Sequence, residues 1–177
     1  MKTIWAVSLV TLSVCLVSFA QSSPPPRKPN VEFHRVSDPF IGTWELTGDT
    51  KPSPFGPGGQ KFASKEQLEW MPGEFFMVVH SYEDGKLSGL TIIGYDEREK
   101  VLTHTTFSTS GEVDVLKGTV EGDTVTWTQN TEVDGKPVKL RMKTKQVSPT
   151  LYTFTMELAP NNDDWAVVSE GKGMKIQ

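Results

Sequence analysis

Along most of the chain, apolar and polar residues alternate with a period of two, the spacing that gives a strand one buried and one wet face. The clearest stretch is Phe75 to Ser108, FFMVVHSYEDGKLSGLTIIGYDEREKVLTHTTFS. Three runs rich in Val, Ile, Phe, Tyr and Thr are separated there by Glu83-Asp84-Gly85 and by Asp96-Glu97-Arg98-Glu99. Asp84-Gly85 is a strong hairpin signal, because a two-residue β-turn needs positive φ and Gly adopts it without steric cost. The stretch therefore predicts a meander of adjacent antiparallel strands.

The same rhythm continues on both sides. Ile41 to Gly48 is the first strand, with Trp44 and Leu46 on one face. Thr50 to Gly59 carries Pro52, Pro54 and Pro57 with three glycines and is expected to be a loop joining the first two strands. Lys61 to Met71 puts Phe62, Ser64, Glu66, Leu68 and Trp70 on one face. Glu66 stands out there, since a carboxylate on an apolar face is costly unless it is paired or hydrogen-bonded. Gly111–Val120, Asp123–Asn130, Pro137–Gln146, Thr150–Leu158 and Trp165–Lys175 complete the set, with turns at Gly122-Asp123, Asp134-Gly135 and Pro160 to Asp164. Lys139, Arg141, Lys143 and Lys145 alternate with Val138, Leu140, Met142 and Thr144, which reads as a solvated basic face that discourages edge pairing. Val31 to Pro39 reads as a short strand or a loose arm, and no amphipathic helix is expected. About ten short strands joined by hairpin turns predict an all-β fold, a single antiparallel up-and-down β-barrel whose closure removes its edges.

The N-terminus has a different pattern. Lys2 precedes an almost uncharged apolar run from Ile4 to Phe19, and Ser18-Phe19-Ala20 places small residues where a signal peptidase reads. The run is short for a membrane span and ends in Gln21-Ser22-Ser23-Pro24, so residues 1–20 are expected to be a signal peptide cut near Ala20. The expected product is secreted or periplasmic, with no membrane span. A lipoprotein signal at Cys15 is the rival, weakened by the large Val14 and by apolar residues continuing past Cys15. Gln21 to Asn30 is a Pro-rich tether, so residues 21–38 form tether and arm and residues 39–177 the barrel domain. Cys15 is the only cysteine, so a chain cut at Ala20 has neither disulfide nor thiolate nucleophile. The formal net charge of −4 gives no reason to expect nucleic acid as a partner.

Gly42-Thr43-Trp44 just after a turn is similar to the Gly-x-Trp signature that opens lipocalins and other calycin barrels. With Leu68-Glu69-Trp70-Met71-Pro72-Gly73-Glu74-Phe75 and a strand ending in Gly94-Tyr95-Asp96, the chain resembles, from about Phe40 to Gln177, a bacterial exported family of unknown function with a lipocalin-like barrel. That resemblance implies that Trp44 plugs the closed end of the barrel. It implies no activity. The related haem-binding barrels called nitrobindins use an axial His late in the chain, and no His follows His104 here, so no cofactor is expected. The Arg that partners the lipocalin Trp is also missing from the last strand, which offers Lys172 and Lys175.

Candidate chemistry is sparse. The histidines are His34, His80 and His104, and two of them lack the third ligand zinc needs unless Glu66 supplies it. Glu66 with His80 or His104 is the one conceivable general acid–base pair. No nucleophile elbow, phosphate-binding Gly loop or metal-ligand cluster occurs. The aromatic residues, spread over most strands, are the better clue. A barrel of about ten strands can be wider than its side chains fill, leaving room for a small apolar ligand with a polar end. The expected lumen residues are Trp44, Glu66, Trp70, Phe76, His80, Tyr95, His104, Trp127 and Phe154. The alternatives are a filled barrel acting as an interaction or inhibitor module, and a barrel enzyme built on Glu66. Oligomeric state is left open.

Overall fold

The computed structural model describes residues 27–160 and 164–177. The expected signal peptide, most of the expected tether and the middle of the expected Pro160–Asp164 turn lie outside them. Ten strands follow in order: β1 (Gly42–Thr50), β2 (Lys61–Trp70), β3 (Phe76–Glu83), β4 (Lys86–Asp96), β5 (Val101–Ser108), β6 (Val113–Glu121), β7 (Thr124–Val133), β8 (Lys136–Ser148), β9 (Leu151–Ala159) and β10 (Ala166–Lys175). Each pairs antiparallel with its sequence neighbours, and β10 pairs with β1 from Trp44–Lys175 to Thr50–Ser169, closing an up-and-down barrel. The turn chemistry is local. Asp84 and Gly85 have φ of 49° and 74°, and Asp134 and Gly135 have 51° and 71°, the paired positive values of the hairpin turn that matches strand twist.

Val31 to Ser37 forms a helix, α1, where the sequence reads as a strand or loose arm, and a 3₁₀ turn (Asp38–Phe40) follows it. Phe33, Val36, Ser37 and Phe40 stand at i, i+3, i+4 and i+7, the amphipathic spacing, compressed into barely two turns and cut short by Pro39. So short a helix forms only because tertiary contacts hold it. Asn30 caps it through Oδ1 to the Phe33 amide at 2.9 Å. Phe33 is 0% exposed and sits edge-on to Trp70, with centroids 5.2 Å apart.

Polar contacts bolt α1 across one end of the barrel. His34 stacks on Trp70 at 4.2 Å and its Nε2 donates to the Glu74 carbonyl at 3.0 Å, in the β2–β3 turn. Asn30 Nδ2 reaches Glu97 in the β4–β5 turn at 3.0 Å, and Arg35 reaches the Gly122 carbonyl in the β6–β7 turn at 3.3 Å. Beneath the helix, Trp44 is 1% exposed, donates Nε1–H to the Phe40 carbonyl at 2.7 Å, and packs on Phe40 and Tyr152. Lys175 Nζ lies 5.5 Å from the Trp44 ring centroid and donates to the Pro39 carbonyl at 3.3 Å. This end is sealed.

Candidate functional site

Inside the barrel the alternation of each strand leaves one row of side chains facing inward, and these rows enclose a cavity of about 290 Å³. Ligand pockets run from roughly 300 Å³ upward, so the cavity suits a small molecule. Toward α1 its wall is buried, at Leu68, Met77, Leu102, Trp127 and Tyr152. On the opposite side Phe62 also lines it and is 36% exposed, and Leu46, Met156 and Ser169 keep partial exposure. The lumen is therefore blind at the helix and reaches solvent at the other end.

The cavity persists because its aromatic rings lie against the wall. A Cβ built on Gly173 would stand 2.3 Å from the Tyr152 ring, one on Gly171 2.6 Å from Phe154, one on Gly118 2.6 Å from Trp127, and one on Gly48 2.5 Å from Phe62. Each ring thus lies over a glycine of an adjacent strand, a close approach that any other residue would block. Rings laid along the wall leave the axis free.

The polar groups in this lumen are few. The Glu66 carboxylate accepts from Tyr152 Oη at 3.5 Å, a long contact, and no Lys or Arg among the described residues lines the cavity. Burial pushes the Glu66 carboxyl up to about 7, against the smaller opposing effect of the Tyr152 hydrogen bond. Tyr152 itself is held well above the usual phenol range, by burial first and by the Glu66 charge second. His104 lines the same cavity with its ring 5.1 Å from Trp127. Burial pushes it down to about 4, so the imidazole is neutral at pH 7, and its buried Nδ1 has no hydrogen-bond partner among the described residues. Thr91 Oγ1 is satisfied by Thr106 Oγ1 at 2.7 Å. Among the described residues no three His, Cys, Asp or Glu side chains converge to hold a metal ion.

The structure brings together Glu66, His104, Trp127 and Phe154 of the nine residues expected in the lumen. Trp44 and Tyr95 pack in or against the core at the sealed end without lining the cavity, and Trp70 sits beneath α1. His80 and Phe76 share the outward parity of β3, opposite the lumen-lining Met77 and Val79. His80 Nε2 is 3.5 Å from Glu69 Oε1 on the outer surface, and Phe76 covers Gly94 there. Glu66 and His80 therefore lie on opposite sides of the wall, because an odd–even difference in a strand position is a difference of face. Tyr152, the hydrogen-bond partner of Glu66, is a cavity-lining residue missing from the expected set. Its signal was its place two residues before Phe154 on the inward face of β9.

A second hollow, about 540 Å³ around Asp49, Lys61, Glu170 and Lys172, is open and charged and encloses nothing. The outer face of β4 to β6 carries an apolar strip. Leu90 pairs with Phe107 and Phe107 with Val113, while Thr105 pairs with Ile92 and Val115. Phe107, Val113 and Val115 are 45, 58 and 59% exposed. No helix of the described residues is long and apolar enough to cross a membrane.

A family model described as "Protein of unknown function (DUF1579)" matches residues 30–173. No curated protein matches the chain. Among solved structures, the crystal structure of Rv2717c from M. tuberculosis matches with a TM-score of 0.56 at 14% identity, covering 85% of this chain and 100% of that one. A protein of unknown function from the DUF3598 family of Nostoc punctiforme PCC 73102 covers 78% of this chain and 97% of its own, at 9% identity and a TM-score of only 0.24. The first likeness concerns fold alone.

Proposed function

The chain belongs to the family described as protein of unknown function (DUF1579), and from that premise we propose that it is a non-enzymatic binder that holds a small, largely apolar molecule in the barrel lumen. The observation that carries this reading is the glycine-backed ring of Phe62, Trp127, Tyr152 and Phe154 around a cavity sealed at one end. A core whose purpose is stability is packed to crystal-like density, without space of this size. Glu66 supports the reading as well: an inward carboxylate without a basic partner lowers stability, and such departures from consistent design concentrate at functional sites. As in a lipocalin-like carrier, ligand would enter from the end opposite α1.

Native mass spectrometry of protein purified from its own cells, without refolding, tests the proposal. A non-covalent mass that disappears on denaturation is the expected result. Apo protein, together with no change in tryptophan fluorescence on adding apolar ligands, overturns it. Export is part of the same proposal, resting on the Ser18-Phe19-Ala20 pattern. Intact Met1 on the N-terminal sequence of cell-derived protein would refute it.

The outer strip favours a second reading, an interaction module. Phe107, Val113 and Val115 in the strip carry no charge and are 45, 58 and 59% exposed, so a second copy can cover them without opposing like charges.

A further inference from the structure

We infer that the lumen selects a lipophilic amine, its cationic head against Glu66 and its apolar body among the aromatic rings, over a carboxylate or an alcohol of the same shape. The inference rests on the ligand-binding reading and names the ligand's chemical class.

Charge inside the lumen decides the sign of the head group. Among the described residues, Glu66 is the one carboxylate on the cavity wall, and no Lys or Arg shares that wall. The nearby ammonium of Lys175 is turned to the Pro39 carbonyl and the Trp44 ring at the sealed end. His104 contributes no positive charge at neutral pH, since burial holds its imidazole near 4. A carboxylate ligand would therefore enter an apolar space with no counter-charge and an acid already present. Burying an unpaired ion is among the costliest steps available to a binding site.

The aromatic walls point the same way. Trp127, Tyr152, Phe154 and Phe62, each packed against a glycine of the adjacent strand, line the same cavity as Glu66. A ring face carries the negative side of its quadrupole, and it attracts cations most when water is excluded. With its carboxyl near 7, Glu66 is half ionised at pH 7. Completing its ionisation for an incoming ammonium reduces affinity by only about a factor of two. An alcohol gains neither the ion pair nor the cation–π contact.

Three probes of one shape separate the outcomes: phenylbutylamine, phenylbutanol and phenylbutyrate, titrated at pH 7 by calorimetry into the wild type and Glu66→Gln. In the wild type the amine is expected to bind at least about tenfold tighter than the other two, as a desolvated ion pair requires. In Glu66→Gln that preference is expected to disappear. Wild-type binding of the alcohol or carboxylate as tight as the amine overturns the selectivity and leaves lumen binding standing. An amine preference that survives Glu66→Gln also overturns it, because the head group would then lie elsewhere. Binding of none of the three at millimolar concentration removes the ligand-binding reading itself.

Discussion

Glu66 is where a single residue departs most from what a stable barrel would choose. Its carboxyl is raised from an unfolded value near 4.5 to about 7. Between those values the folded chain keeps a proton that the unfolded chain has lost, so stability falls as pH rises through that window. It then stays low above 7. The shift corresponds to roughly 3 kcal/mol at most, less where water in the lumen screens the charge. Glu66→Gln keeps an acceptor for Tyr152 and removes the titration. We expect it to unfold in urea with the wild type's midpoint at pH 4 and to be about 2 kcal/mol more stable at pH 8. Equal midpoints at both values would mean that Glu66 is not desolvated. The sequence flagged this residue through parity alone. It could not reveal that Tyr152, 86 positions later, supplies the hydroxyl.

At the scale of elements, the strands are sturdy and the plug is marginal. α1 has seven residues and owes its existence to Phe33, Val36 and the contacts that tie it to three turns. Phe33→Ala empties a fully buried site and is expected to cost about 3–5 kcal/mol, measured by denaturant unfolding. A loss below about 1 kcal/mol would show that the helix does not seal the end. In β10, Gly173 matters for the ring it accommodates. Gly173→Ala puts a methyl group within 2.3 Å of Tyr152 and drives the ring toward the axis. The expected result is a loss of about 1–3 kcal/mol together with weaker ligand binding. Unchanged binding would mean that the lumen does not depend on that ring position. The strands were legible because period-two alternation and Asp-Gly turns are local signals. The helix was not, because its pattern of four inward positions spans barely two turns and ends at Pro39.

For the whole molecule, closure of β10 on β1 leaves no free sheet edge among the described strands, and an exposed apolar strip runs across β4 to β6. If the strip meets a second copy, sedimentation velocity at high micromolar concentration should detect a dimer, and Phe107→Lys with Val115→Lys should abolish it. Both positions are more than 40% exposed, so the double variant should keep its fold, checked by circular dichroism. A monomer at every concentration would leave the strip without a self-association role.

By itself the sequence determined the class of fold, the order and approximate limits of the strands, the hairpin turns, and which side chains of a strand share a face. These are consequences of backbone geometry acting over a few residues, so they can be read from short windows. Only the tertiary structure decided which face is inside and which residues of distant strands meet there. It separated His80 from His104, placed Phe76 outside and Trp70 beneath α1, and joined Tyr152 to Glu66. It also decided that there is a lumen at all. The rings of Phe62, Trp127, Tyr152 and Phe154 clear the axis because the barrel's register sets a glycine of an adjacent strand beneath each one, and register is a property of the closed sheet.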